Sequence, residues 1–399
     1  MNLKFASASG AAFLFVCVGC GADSPGGPAA TTASTTVSSQ SSTLGFPFSG
    51  SLESARRAVL PRLTSNPTAS GSTVPDNGDV NPYGVAFVPR EFPSGGLLRP
   101  GDVIVANFNN SANLQGTGTT ITRVNPGASP SLFFSDPDAV GFSTALGVLR
   151  RGFVLVGNLP STDGSGSCTE TDAGVEQNVG QGALLVIDKS GRLVQTLTSP
   201  SMLDGPWDLT LSDFGDFAIV FVSNALSGTV TRLDLSVHGT GVTVERETQI
   251  ASGYVHRCDP AAFVVAPTGV ALDPERDVLY VSSAGDNAIY AVRDASRTGR
   301  DGGKGTVVVS DATHLHGPLG LARAPNGDLI SAQGDAVNPD ANHPSEIVEF
   351  TPEGRFVSEF SIDSASGSAF GLALEVRREG LRFAAVDDGM NVLDIWDVP

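Results

Sequence analysis

Six times along this chain, a turn residue and a small or acidic residue lead into a short apolar strand. The copies read Asn81-Pro82-Tyr83-Gly84, Ser143-Thr144-Ala145-Leu146-Gly147, Gly205-Pro206-Trp207-Asp208, Ala266-Pro267-Thr268-Gly269, Gly317-Pro318-Leu319-Gly320 and Ser368-Ala369-Phe370-Gly371. With Gly147 as the anchor of the second copy, successive anchors lie 63, 61, 61, 51 and 51 residues apart. A unit of that length holds about four short strands. It cannot bury both of its faces alone, so the copies must pack on one another.

The fourth copy shows the internal order most clearly. Gly269-Val270-Ala271-Leu272 runs into the turn Asp273-Pro274-Glu275-Arg276-Asp277, and Val278 to Ser282 forms a second strand. The turn Ala284-Gly285-Asp286-Asn287 follows, then strands over Ala288 to Val292 and Gly305 to Ser310. The fifth copy punctuates with Pro325-Asn326-Gly327 and Pro352-Glu353-Gly354. Strands of about five residues between Gly, Pro, Asn and Asp clusters predict an all-β domain.

These residues resemble the NHL-type β-propeller repeat over about residues 80 to 399, most closely in copies four and five. The resemblance implies a six-bladed β-propeller of four-stranded antiparallel blades. It specifies architecture and leaves function open, because such propellers host enzymes and binding modules alike. The sixth copy offers three strands before the chain stops. An N-terminal strand is therefore expected to close the last blade and remove its open edge. Ala58-Val59-Leu60-Pro61-Arg62-Leu63 is the apolar candidate, with Pro61 on an outer edge. Residues 51 to 57 just upstream read equally as a brief helix.

Near the start of the chain, Lys4 precedes an apolar run from Phe5 to Val18, closed by Val18-Gly19-Cys20. Residues 1–20 are a secretory signal, too short for a membrane span. Their end resembles a bacterial lipobox, departing from it at Cys17, and implies a lipidated Cys20; an ordinary cleaved signal is the alternative. Residues 21–48 are rich in Ser, Thr and Pro and read as a flexible tether with a reach of roughly 25–30 Å. Gly21 in place of Asp resembles the outer-membrane sorting pattern of Gram-negative lipoproteins. The domain reading is thus signal 1–20, tether 21–48 and propeller 49–399, exported and lipid-anchored in the cell envelope, at the outer membrane or cell surface.

The formal charge of the whole chain is −18. An acidic surface repels nucleic acid and anionic headgroups, and no basic stripe offsets it. Nucleic acid is excluded as a partner, and a membrane is met only through the lipid anchor. A monomer with an unidentified protein or small-molecule ligand is expected. Once Cys17 and Cys20 are set aside, Cys168 and Cys258 remain. In an oxidising compartment two such thiols pair, closing a loop of roughly 90 residues; two free thiols are the alternative.

In a propeller of this kind, loops entering the first strand and loops between the second and third strands open on one face. The entering loops offer Asn81, Asp204, His256, His314 and His316. The second-to-third loops offer Asn107, Asn109, Asn158, Asn224, Asp286, Asp335, Asp387 and Asp388. Cys168 and Cys258 fall on the same face, where a disulfide would staple the insertion from Pro160 to Gly182 over the mouth. Asn and Asp around a pore suit Ca2+, a hard cation that takes amide and carboxylate oxygens. The pattern resembles calcium-dependent lactonase and esterase propellers, which implies Asn109, Asn158, Asn224 and Asp335 as donors. The same residues also close turns through side-chain to backbone bonds. Trp207 and Trp396 read as blade core.

Other constellations are weaker. His314-Leu315-His316 puts two imidazoles on one face of an extended stretch, a geometry open to zinc, although no comparable His recurs at other blades. Asn338, Asp340 and Asn342, with Glu349 beyond, look like a calcium loop that lacks its Gly. No Gly-x-Ser-x-Gly elbow, P-loop or His-Glu-x-x-His is present. The leading expectation is therefore a tethered propeller that binds a ligand or protein partner without catalysis and with no certain cofactor. The alternative is a calcium-dependent lactonase or esterase with its site at the pore.

Overall fold

A computed structural model describes residues 57–171, 176–334, 336–344, 346–365 and 367–399. The signal, Cys20, the tether, residues 51–56 and Asp335 lie outside the described residues. A 3-10 turn at Leu60–Arg62 precedes β1 (Ala69–Ser72). Blade 1 is β2 (Val80–Phe87), β3 (Val103–Asn109), β4 (Thr120–Arg123) and β5 (Ser131–Ser135). Blade 2 begins with β6 (Phe142–Leu149) and β7 (Phe153–Asn158). A small hairpin of β8 (Thr169–Glu170) and β9 (Glu176–Gln177) interrupts it before β10 (Leu184–Asp188) and β11 (Leu193–Leu197) complete it. Blade 3 is β12 (Pro206–Asp213), β13 (Phe217–Asn224), β14 (Thr229–His238) and β15 (Gly241–Ala251).

A second small hairpin, β16 (Arg257–Asp259) with β17 (Phe263–Val265), leads into blade 4. That blade is β18 (Pro267–Asp273), β19 (Val278–Ser283), β20 (Ala288–Arg293) and β21 (Thr306–Val309). Blade 5 is β22 (Pro318–Arg323), β23 (Leu329–Gln333), β24 (Glu346–Phe350) and β25 (Phe356–Ser361). Blade 6 is β26 (Ala369–Arg377), β27 (Gly380–Asp387) and β28 (Val392–Val398), with β1 as its fourth strand. The chain is an all-β, six-bladed propeller.

The core is a ring of inter-blade layers, because each blade uses both faces. In β7, Phe153 and Leu155 pack towards blade 3, while Val154 and Val156 pack towards blade 1. β10 does the same with Leu184 and Val186 against Leu185 and Ile187. Alternation of side chains along a strand makes this possible. Each fully buried aliphatic side chain contributes about 1.5–3 kcal/mol.

The anchors set how closely the inner strands approach the axis. A Cβ at Gly84 would sit 2.8 Å from the Leu146 Cβ and 3.0 Å from the Ser143 carbonyl of the next blade. Gly269, Gly320 and Gly371 press in the same way on the Leu319, Phe370 and Tyr83 carbonyls. The second copy departs from the expected register. Ladder pairing aligns Ala145, not Gly147, with Gly84, because the bulge after Phe142 carries one more residue than the bulge after Pro82. Hydroxyls add stitches between blades. Ser143 Oγ donates to the Pro206 carbonyl (2.7 Å), Ser223 Oγ to that of Thr268 (2.6 Å) and Thr268 Oγ1 to that of Pro318 (2.6 Å).

Closure uses an N-terminal strand, but not the expected one. Residues 58–63 do not form it. Val59 and Leu60 are buried in the layer between blades 5 and 6, and Pro61 sits early in the 3-10 turn, where its missing N–H costs nothing. The carboxylate of Glu349 on β24 accepts the Val59 and Leu60 N–H groups at 2.8–3.0 Å. Strand β1 closes the ring, pairing Ala69 to Ile395 through Ser72 to Val392 on β28. Its sequence, Ala-Ser-Gly-Ser, carries almost no apolar signal. Gly71 is nevertheless required, since a Cβ there would meet Val124 Cγ1 of blade 1 at 2.6 Å.

Candidate functional site at the propeller mouth

Near its mouth-face end, the second strand of each blade carries a polar residue: Asn107, Asn158, Asn224, Ser283, Gln333 or Asp387. Each pairs with the start of its first strand. This position ties loops to blades. Asn158 accepts the Ala183 N–H (2.8 Å) and donates to the Val140 carbonyl (2.9 Å). Asn224 accepts the Asp204 N–H (3.1 Å) and donates to the Met202 carbonyl (3.1 Å) and to two threonine hydroxyls. Gln333 accepts the His316 N–H at 2.8 Å. The recurring amides are therefore turn closers, and the fold spends Asn158 and Asn224 internally.

Two loop elaborations narrow the mouth. Hairpin β8–β9 and hairpin β16–β17 are joined by the Cys168–Cys258 disulfide, with Cα atoms 5.3 Å apart. The Cys258 N–H also donates to Glu170 (2.6 Å), and Gln115 Nε2 of blade 1 donates to the Ala261 carbonyl (2.9 Å). The hairpin turns Phe263 inward at a φ of 66°, a left-handed conformation that is strained for an aromatic residue. Its ring lies 5.9 Å from that of Phe108. Phe108 in turn stacks on Tyr83 at 4.7 Å, and Tyr83 meets Phe370 at 4.5 Å and Trp207 at 5.6 Å.

Above this aromatic plug lies a cavity of about 370 Å³, lined from blades 1, 3, 4, 5 and 6. Tyr83, Trp207, Phe370 and Leu319 supply its apolar wall; Asn81, Asn109, Asn113, Gln115 and Asp388 supply polar groups. Asn81 adopts a φ of 59°, a conformation Asn tolerates better than most residues, and its N–H donates to Asn391. Asn81 and Asn109 are 6% and 2% exposed, and the side-chain oxygen of each has no hydrogen-bond partner. Asn109 Nδ2 is engaged by Asn113 at 2.7 Å.

Asp388 shares its corner of the mouth with Asp387 and Asp363. Burial, then the charges of Asp387 and Asp363, push the Asp388 carboxyl up to about 7. Burial, then Asp363 and Asp394, raise Asp387 too, against a hydrogen bond from the Met390 N–H. None of the three forms an ion pair with Lys, Arg or His among the described residues. Burial, with Asp388 second, also raises the Tyr83 phenol.

Of the four expected calcium donors, Asn109 reaches the cavity, Asn158 and Asn224 are engaged elsewhere, and Asp335 lies outside the described residues. Among the described residues, no group of three or more His, Cys, Asp or Glu is placed to hold a metal ion. The histidines do not converge either. His314 pairs with Asp311 and stacks on Phe356, His316 is buried against the Thr313 and Asn338 carbonyls, and His256 pairs with Glu176. In the 338–342 loop, Asn338 donates to the Ala312 and Leu315 carbonyls and Asp340 accepts from Asn342 and His343. Trp396 packs in blade core as expected, whereas Trp207, although buried, also lines the mouth.

Below the plug, the channel is lined by the inner strands of all six blades and holds Asp208, the acidic anchor that replaces glycine in blade 3. Its carboxylate accepts the Leu209 N–H (2.8 Å) and the Val270 N–H of blade 4 (2.9 Å). Burial outweighs both and pushes the carboxyl up to about 8. The unfolded chain therefore releases this proton first, and stability is lost as pH rises from about 4 to about 8. At about 1.4 kcal/mol per tenfold change, the limiting cost is several kcal/mol. Asp208→Asn is expected to flatten that loss. Its Tm should fall below wild type at pH 5, where one N–H loses its acceptor, and gain on wild type by pH 9. Thermal melts at pH 5, 7 and 9 check this; parallel pH curves for the two proteins would exclude it.

No protein-family model matches the chain. No curated protein matches it either. Among solved structures it is similar to a gluconolactonase from Xanthomonas campestris, at 14% identity and a TM-score of 0.48, covering 82% of this chain and 88% of that one. It is also similar to regucalcin, a calcium-binding protein from Agrobacterium tumefaciens, at 13% identity and a TM-score of 0.45, covering 84% and 96% respectively. At these scores the likeness carries no argument about chemistry.

Proposed function

We propose that the protein is an envelope-tethered propeller that binds a small molecule in its mouth cavity. The supporting observation is the cavity itself, where an aromatic wall meets two buried amide oxygens and an acidic group that have no partner or counter-ion among the described residues. Small-molecule sites have this composition, mostly apolar with a few converging polar groups. Buried polar atoms left unpaired cost about 1–3 kcal/mol each, and a ligand that pairs them recovers that. The tether reading rests on the Val18-Gly19-Cys20 ending and the polar segment after it. The hydrolase reading depends on calcium donors, two of which the fold engages elsewhere.

A melting screen with a small-molecule panel tests the reading, run on the wild type and on Ala262→Trp, which fills the cavity rim. A ligand at a hundred times its Kd adds about 2.7 kcal/mol, or roughly 3–5 °C in a domain of this size. Compounds that bind the mouth should raise the Tm of wild type alone. A panel in which no compound separates the two proteins would sink the proposal.

A further inference from the structure

The mouth cavity brings three acceptors together. Among the described residues, Asn81 and Asn109 each have a buried side-chain oxygen with no donor, and Asp388 has a carboxyl with no cation partner. Among the described residues, no Lys, Arg or His lines the cavity. Tyr83, Trp207 and Phe370 form the wall beside them, with Tyr83 within 4.5–5.6 Å of the other two rings. A neutral ligand would leave the carboxylate desolvated and uncompensated, and an anion would add to the repulsion from Asp387 and Asp363. A quaternary ammonium would offset the charge but leave both amide oxygens unpaired, because it has no N–H. A protonated amine meets all three demands, since its N–H groups donate to the oxygens and its charge faces the carboxylate. Aromatic rings add attraction for the same cation.

Resting on the reading of the mouth as a binding site, we propose that its ligand is an organic ammonium ion, a protonated primary or secondary amine on an apolar or ring-bearing body small enough for about 370 Å³. The chain's net charge of −18 favours the approach of such a cation.

Calorimetric titration at pH 8 tests this with a panel of primary ammonium probes, each paired with the alcohol of the same skeleton. Benzylamine against benzyl alcohol is the first pair, with benzyltrimethylammonium as a cation that lacks donors. At least one amine should bind tenfold or more tighter than its alcohol and tighter than the trimethylammonium form. Asp388→Asn should weaken that amine about tenfold without lowering the Tm at pH 8, because it relieves repulsion. Asn109→Ala, at a site outside the acidic corner, should weaken it severalfold and serves if Asp388→Asn does not fold. Amine affinity should also fall between pH 8 and pH 5. Asp388 faces Asp387 at the end of β27, Asp363 from the loop before β26 and Tyr83 from β2, and the carboxyls take up protons over that range. If no amine outbinds its alcohol, the inference is overturned. Alcohols that bind as well as amines, and lose affinity in Ala262→Trp, would overturn it while leaving the small-molecule reading intact. If neither amines nor alcohols bind and the wider panel also fails, both readings fall.

Discussion

A chain that begins at residue 76 is expected to fail to fold as a monomer, whereas one that begins at residue 57 should melt like the full-length protein. The shorter chain loses β1 and leaves the ladder edge of β28 open to pairing with other molecules. It loses the Thr73 backbone, which accepts from Asn107 and Thr122 of blade 1 and donates to Asn391 of blade 6. It also loses the buried side chains of Val59 and Leu60, at about 1.5–3 kcal/mol each. Glu349, which is buried, is left without its two N–H donors, at a further 1–3 kcal/mol. These losses approach the whole stability of an ordinary domain, about 5–15 kcal/mol. Size-exclusion chromatography and calorimetry report the outcome. A chain beginning at residue 66 keeps β1 but lacks the docked turn, and should fold with a lowered Tm. A monomeric, cooperatively melting chain from residue 76 would show that closure does not depend on β1.

The second large effect is that of the disulfide. Replacing Cys168 and Cys258 by serine should destabilise the protein by about 2–4 kcal/mol, beneath a loop-entropy limit of about 4–5 kcal/mol for a separation of 90 residues. In a domain of this size that lowers Tm by roughly 3–6 °C. The loss should be local as well as global. The bond joins two short hairpins with few backbone pairs of their own, β8–β9 and β16–β17. Without it, limited proteolysis should cut within residues 160–182 and 257–265 before it cuts any blade. Phe263, held in a left-handed conformation by its hairpin, would be released from the aromatic plug. A Tm within 1 °C of wild type, with an unchanged cleavage pattern, would show that the hairpins hold themselves.

The blades were legible because their signal is geometric. Anchor glycines recur wherever the inner strands come too close for a Cβ, and Gly84, Gly269, Gly320 and Gly371 all report that constraint. The second copy misled because a bulge shifts Ala145 into the anchor position, and alanine there looks like any other strand residue. The disulfide followed from the two cysteines that remain once Cys17 and Cys20 are set aside, and the face it lies on followed from loop order. The closing strand was hidden because its role is backbone pairing against a crowded neighbour, which selects small residues, while the more apolar stretch beside it docks as a turn. At the mouth, the recurrence that drew attention to Asn158 and Asn224 arose from their shared structural duty. The residues that line the cavity are individual to their blades: Tyr83, Trp207 and Phe370 in the variable slot before the anchor position, and Asp388 one residue past the recurring polar position. A repeat-based reading finds what the blades share, and a binding site is built from what they do not.

Strand β1 runs antiparallel to β28, with Ala69 opposite Ile395 and Ser72 opposite Val392. The chain therefore enters and leaves the ring at the same end of that ladder. Tension between its two ends would open the ladder like a zip, one pair at a time, the weakest way to load a sheet. The docked turn changes where the force arrives. Val59 and Leu60 are fastened to Glu349 on blade 5, and Arg62 reaches the carbonyl of Pro399. A pull from the N-terminal side is thus taken up by a latch on the neighbouring blade before it reaches the zip.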